Sequence, residues 1–322
     1  MAWLPDREIY GPERPSVRDI EPLNRVFSEA FTDRYRRDGM TGVRVPHLNP
    51  MIWRYALEDA GDGAMVWRDA DGSLVGFNIV HLSGREGWMG PLAVRPDRQG
   101  FGLGKAMIRA GVEWLRARQA RTIGLETMPR TIENIGFYSR LGFAPGHLTI
   151  TVTRETARRP VPLPELLSAA GAARPERLRE CRELTAELVP GTDFTREQTL
   201  TAELRIGDTV LARDPGGRLA GFALVHTAPL AAGRPPDELR VLKLVARDAA
   251  TFDRLLDAVE ATALLSDIQR TSLRAQTAFA DAYQRLIQQG FRAHWTDLRM
   301  SLVSHPELEP PGEAVVFSNW EI

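Results

Sequence analysis

The chain has 322 residues, 43% hydrophobic and 26% charged, a globular balance that excludes wholesale disorder and leaves length for two domains. Lys and Arg total 41 against 42 Asp and Glu, a net charge of −1, so no global field draws the chain to nucleic acid or an anionic membrane. The lone cysteine, Cys181, excludes an internal disulfide and a multi-cysteine zinc site and fits a reducing cytosol. The N-terminus has no basic region leading into an apolar run, and no stretch reaches the ~18 apolar residues that span a bilayer. The expectation is a soluble cytoplasmic protein with no metal and with neither nucleic acid nor membrane as partner.

In chain order, residues 19–37 place Ile20, Leu23, Val26, Phe27, Ala30 and Phe31 at helical spacing. A second helix fits 50–57. A short strand, the turn Asp69-Ala-Asp-Gly and Leu74-Val-Gly-Phe-Asn-Ile-Val-His read as a hairpin, followed by a strand over 88–94. Residues 105–119 form a helix with Ile108, Gly111, Val112 and Leu115 on one face. A strand over 122–127, a helix over 133–141 and a closing strand over 147–153 complete an α/β or α+β sheet domain.

Pro160, Pro162 and Pro164 then favour an extended linker, 157–165, between domains 1–156 and 166–322. The halves resemble each other. Leu219-Ala-Gly-Phe-Ala-Leu-Val-His repeats the strand at Leu74 after 145 residues, and Leu286-Ile-Gln-Gln-Gly-Phe matches Tyr138-Ser-Arg-Leu-Gly-Phe after 148. Two matches in one order at nearly constant spacing argue for tandem copies of one fold.

The sharpest local signal is Leu92-Ala-Val-Arg-Pro-Asp-Arg-Gln-Gly-Phe-Gly-Leu-Gly-Lys-Ala. A strand runs into Gly100, Gly102 and Gly104, and a helix starts at once. Glycines let backbone N–H groups approach a ligand, and the helix start adds its dipole, so the segment suits a phosphate or pyrophosphate. It is not a Walker loop, because Gln99 stands at the first glycine position and Ala106 follows Lys105. Nor is it a dinucleotide fingerprint, whose Gly-x-Gly-x-x-Gly opens a βαβ unit.

Val94-Arg-Pro-Asp-Arg-Gln-Gly-Phe-Gly-Leu-Gly resembles the acyl-CoA-binding motif of the GCN5-related N-acetyltransferases (GNAT), Gln/Arg-x-x-Gly-x-Gly/Ala. Asn134-Ile-Gly-Phe-Tyr138-Ser-Arg-Leu-Gly-Phe143 resembles that family's second signature. The resemblance covers most of residues 14–155. It implies two tandem GNAT-like domains, each a mixed, mostly antiparallel sheet flanked by helices, with acetyl-CoA as co-substrate. It also implies that Leu92, Ala93 and Val94 offer backbone groups to pantetheine, that Gln99, Gly100, Phe101, Gly102, Leu103, Gly104 and Lys105 cradle the pyrophosphate, and that Asn134 and Tyr138 lie along the cofactor arm. Tandem mycothiol synthases are a remoter likeness, since their motif-bearing half is the C-terminal one.

The implied activity is N-acetylation of a small-molecule amine by direct attack on the thioester; the alternative is a non-catalytic acyl-CoA-binding or regulatory module. Attack needs a base for the amine proton and an acid for the leaving thiolate. A phenol is protonated at neutral pH, so Tyr138 suits the acid. Glu126 is the expected base, with Glu86 and His81 as lesser candidates. Arg34, Arg36, Arg37, Arg44 and Arg54 cluster where an anionic acceptor can be held. In the second half, Thr251, Asp253 and Leu255 align with the glycines, which implies a degenerate copy kept for packing, pocket closure or homodimer contacts.

Overall fold

The computed structural model of the protein describes residues 8–157, 162–308 and 312–320. Its first half runs β1 (Ile9–Glu13), α1 (Ile20–Arg37), α2 (Pro50–Ala60), β2 (Ala64–Asp69), β3 (Leu74–Ser83), β4 (Glu86–Val94), α3 (Leu103–Ala117), β5 (Thr122–Thr127), α4 (Ile132–Ser139) and β6 (Phe143–Glu155). Local chemistry sets these bounds. Pro50 opens α2 at a position where a missing N–H costs nothing, and the Asn49 side chain accepts from the Met51 amide at 3.0 Å. Leu23, Val26 and Phe27 of α1 pack with Phe77 and Ile79 of β3, while Met107, Ile108 and Leu115 of α3 cover the other face beside Val75 and Val80. The sheet is therefore the middle of three layers.

The second half repeats the order as β7 (Glu165–Leu166), α5 (Arg174–Leu188), α6 (Thr195–Glu203), β8 (Gly207–Arg213), β9 (Leu219–His226), β10 (Glu238–Ala246), α7 (Ala249–Leu265), β11 (Arg270–Gln276), α8 (Ala280–Gln288) and β12 (Arg292–Leu302), then adds β13 (Val315–Ser318). Residues 158–161 of the expected linker lie outside the described residues. Among the described residues, no helix is long and apolar enough to cross a membrane.

Both halves share one sheet, ordered β1-β2-β3-β4-β5-β12-β6-β11-β10-β9-β8-β7. The expected mixed, mostly antiparallel sheet forms, with parallel pairing among the described residues only at β4–β5 and β10–β11. The closing strands are exchanged. β12 lies beside β5, and β6 lies between β12 and β11. Thr127 pairs with Leu298; moving both by the 148-residue repeat (127 to 275, 298 to 150) gives the observed pair Ala275 and Ile150. A pseudo-twofold axis thus passes between β6 and β12. The copies do not close two separate sheets, as the sequence division at 157–165 leads one to expect.

Each copy also opens a wedge. Asn78 faces Leu92 but Val80 faces Met89, so one extra residue bulges from β4 at Gly90–Pro91. A bulge bends its strand, and β4 pairs with β5 only over 86–89 before leaving it. The same bulge recurs at Leu242–Lys243, and β10 leaves β11 after Val241. In the second copy β13 fills the wedge, with Lys243–Ala246 facing Ser318–Val315. Phe317 is 1% exposed and packs edge-on against Phe252 and Phe279.

These registers place Leu244 where Leu92 lies and Ala246 where Val94 lies. Only Arg247 and Asp248 then separate β10 from α7, against residues 95–102 between β4 and α3. Thr251, Asp253 and Leu255 sit inside α7, and Asp248 caps that helix by accepting from the Thr251 amide at 2.7 Å. The glycine loop of the second copy is not substituted, as the sequence alignment suggested, but absent.

Candidate active site

The glycine loop follows β4 and is tied down by arginines. Arg95 and Arg98 both donate to Asp69, the last residue of β2. Gln99 turns inward and its Nε2 donates to the Val94 carbonyl at 2.9 Å. Gly102 is the N-cap of α3 at φ 85°, with no side chain capping the helix amides. Gly100 has φ 88°, and a Cβ at either glycine meets nothing within 4 Å. It is the left-handed backbone that calls for glycine here, while the space beside it stays open. Uncapped amides at the start of a 15-residue helix make an anion cradle.

The wedge and the loop border one cavity of about 660 Å³. Leu92, Ala93, Val94, Gln99, Gly100, Gly102, Leu103, Gly104 and Lys105 line it, as do Asn134, Tyr138 and Glu126. Phe101 does not; it is 71% exposed. The Val94 carbonyl, an expected cofactor contact, already accepts from Gln99. Tyr138 is buried on α4 against Phe137 and Phe143, and burial pushes its phenol up to about 12. Asn134 lies one turn earlier, its Nδ2 3.5 Å from Thr127 Oγ1.

Glu126 has partners that its own half does not supply. Its carboxylate accepts from Thr149 Oγ1 at 2.6 Å, from Arg299 Nη1 at 2.7 Å and from Arg274 Nη2. Burial acts to raise this carboxyl, but the charges of Arg274 and Arg299 outweigh it and hold the pKa at about 2. So weak a base does not suit proton abstraction at neutral pH, which argues against the role expected for Glu126. Strand exchange is the cause, because it sets β12 directly against β5 and pairs Arg299 with Glu126.

A second cavity, of about 430 Å³, shares Phe31, Tyr35, Met89, Gly90, Pro91, Glu126, Trp295 and Asp297 with the first. It extends away from the glycine loop between the copies, past Leu48, Leu230, Trp88 and Trp320. Asp297 accepts from Arg274 Nη2 at 2.8 Å and from Trp295 Nε1 at 3.2 Å. Trp295, Asp297, Arg274 and Trp320 all belong to the second copy and escaped the sequence reading. Nothing in their spacing marks them, since their neighbours lie far away in the chain.

Of the other expected residues, Arg34 and Arg37 line the first cavity, and four of the five arginines are ion-paired. Arg34 pairs with Asp38 and Glu133, Arg36 and Arg37 with Asp33, and Arg54 with Glu58. Arg44 is exposed and lines neither cavity. Glu86 accepts from Trp88 Nε1 and Ser318 Oγ, outside both cavities. His81 lines the second cavity, with Nδ1 2.7 Å from Asp59 and Nε2 buried without a partner.

Residues 23–143 match the family model "Acetyltransferase (GNAT) family". A mycothiol acetyltransferase of Streptomyces coelicolor is 34% identical over 161 residues, 48% of this chain and 50% of that protein. The chain spans about half the length of the curated relatives it matches first. A GCN5-related N-acetyltransferase from Sphaerobacter thermophilus shares the fold at TM-score 0.61 and 17% identity, covering 95% of this chain and 99% of that one. So does a tandem GNAT protein from the clavulanic acid biosynthesis pathway, at TM-score 0.57 and 14% identity over 94% of this chain and 100% of its own.

Proposed function

We propose, on the match of residues 23–143 to the Acetyltransferase (GNAT) family, that the chain is an acetyl-CoA-dependent N-acetyltransferase acting on a small-molecule amine, with its chemistry in the first copy. The observation that carries this reading is the open wedge of β4 and β5 meeting the uncapped, glycine-led start of α3. The donor set fits the co-substrate: helix amides and open glycine backbone suit a pyrophosphate, and the edge of β4 freed beyond Met89 suits the amides of a pantetheine arm. Asn134 flanks that arm. The acetyl group then faces the second cavity, from which an amine attacks the thioester carbonyl; a C–N bond forms and the C–S bond breaks. Tyr138, neutral at working pH, stands ready to protonate the departing sulfur. Glu126 holds two arginines of the second copy, Arg274 and Arg299, instead of taking the amine's proton.

Calorimetry tests the binding half of this reading. One acetyl-CoA is expected per chain, and Gly102→Asp should abolish its uptake, because a side chain and a negative charge enter the cradle at a left-handed position. Thiol release with a panel of amines tests the catalytic half. Tyr138→Phe should lower kcat ~100-fold with acetyl-CoA affinity unchanged. Two equivalent sites per chain, or a Phe variant at full rate, contradicts the reading. Uptake of acetyl-CoA with no amine accepted would favour an acyl-CoA-binding module.

A further inference from the structure

The reacting amine has to stand where the two cavities meet, since only there can it touch both the thioester and the acceptor's remaining body. Three titratable side chains reach that junction: Tyr35, Glu126 and Asp297. Glu126 is committed to Arg274 and Arg299. Tyr35 is a phenol that burial and the charge of Asp297 raise further, so it is no base at neutral pH. Asp297 is left. It carries one guanidinium contact, from Arg274, shared with Glu126, and one indole N–H, from Trp295.

We infer that Asp297, delivered by the exchanged strand β12, receives the acceptor's ammonium group and takes its proton, and that the acceptor is a primary amine on an apolar or aromatic body without an anionic group. The inference rests on the acetyl-transfer reading above. Its first support is geometric: Asp297 borders both cavities, as do Tyr35 and Trp295, whose ring centroids are 5.8 Å apart. Such rings favour a cation at their faces and an apolar body beside them. Its second support is charge. Arg274 is bound to Glu126 and Asp297, Arg240 donates to the Ala228 carbonyl at 2.6 Å, and Arg34 and Arg37 of the first cavity pair with Asp38 and Asp33, so each of these guanidiniums already has a partner. This reverses the anionic acceptor expected from the arginine cluster. Burial also raises the Asp297 carboxyl against the pull of Arg274, which gives it more basicity than Glu126 keeps. The protons balance. Two leave the ammonium nitrogen as it becomes an amide: one passes through Asp297 to solvent, and one replaces the proton that Tyr138 gives to the leaving sulfur.

The test compares 2-phenylethylamine with phenylalanine, which differs by one carboxylate, on the full chain. The amine should be acetylated with a kcat/KM at least ~10-fold higher, because the added carboxylate meets Asp297 and finds no free cation. Asp297→Asn should lower kcat/KM for the amine ~100-fold with acetyl-CoA uptake unchanged by calorimetry, and Asp297→Glu should recover part of the loss. The acidic limb of the wild-type profile, where the rate falls as Asp297 is protonated, should vanish in the Asn variant; Arg274, Glu126 and Tyr35 are the other titratable groups facing it. A wild-type enzyme that takes up acetyl-CoA but acetylates the amine no faster than phenylalanine overturns the acceptor class and leaves acetyl transfer standing. An Asn variant at wild-type rate, or one that loses acetyl-CoA uptake along with rate, overturns the assignment of Asp297. Wild-type protein that takes up no acetyl-CoA fails the underlying reading instead.

Discussion

The wedge between β4 and β5 and the wedge between β10 and β11 begin from the same bulge, after the same four-residue parallel ladder. They end differently. A strand that leaves its neighbour bares backbone N–H and C=O groups, and buried groups of that kind need partners. The second copy partners them from its own chain by laying β13 along β10. In the first copy no described strand fills the wedge, and the proposed pantetheine arm would partner them there. The glycine loop follows the same division: it stands beside the open wedge and has been cut out beside the filled one. The open wedge and the glycine-led helix start therefore occur together, as two parts of the site proposed above.

The strongest way to break this contrast is to remove the second copy. Residues 1–156 alone would bare both flanks of β6 and the outer edge of β5, and would strip Glu126 of Arg274 and Arg299. Exposed strand edges pair with other chains, so the fragment should aggregate on size-exclusion chromatography and release no measurable thiol. A monodisperse, fully active fragment would refute the dependence. Next in size is Phe317→Ala. Emptying the plug of the second wedge should cost about 3–5 kcal/mol, read as a lowered denaturant midpoint, with acetyl-CoA affinity unchanged. If the variant gained a second acetyl-CoA site, β13 would be a removable lid and not a replacement for the ligand.

The smallest effect concerns the seam between the copies. The carboxyl of Glu126 is lowered from 4.5 to about 2 in the folded chain, so its stabilisation is complete above pH 4.5 and fades as pH falls towards 2. Unfolding followed over that window should lose a few kcal/mol more in the wild type than in Glu126→Gln, whose amide cannot titrate. Parallel pH curves for the two proteins would show that the arginines do not depend on this charge.

Much of the first copy was legible in the sequence, because its signals are local. Helical spacing marked α1, the Asp69-to-Gly72 turn marked the hairpin, and Gly100, Gly102 and Gly104 marked a close backbone approach at a helix start. The repeat was legible too, through the strands at Leu74 and Leu219. The exchange of β6 and β12 was not, because each closing strand carries the same alternation whichever neighbour it joins. That one ambiguity concealed the ion pairs of Glu126, the position of Asp297 and the whole inter-copy cavity. The deletion beside α7 was missed for a related reason: an alignment without gaps placed side chains opposite glycines that have no counterpart.

The pseudo-twofold axis has a further consequence at its centre. Glu126 and Arg274 are equivalent positions, 148 residues apart, and each reaches across the axis to the other. Were two identical chains to assemble about a true twofold with these strands, each such meeting would join like with like, glutamate to glutamate or arginine to arginine. Fusion into one chain frees the equivalent positions to differ, and here they carry opposite charges. The seam is therefore self-sorting: it rewards first copy against second and penalises either copy against itself.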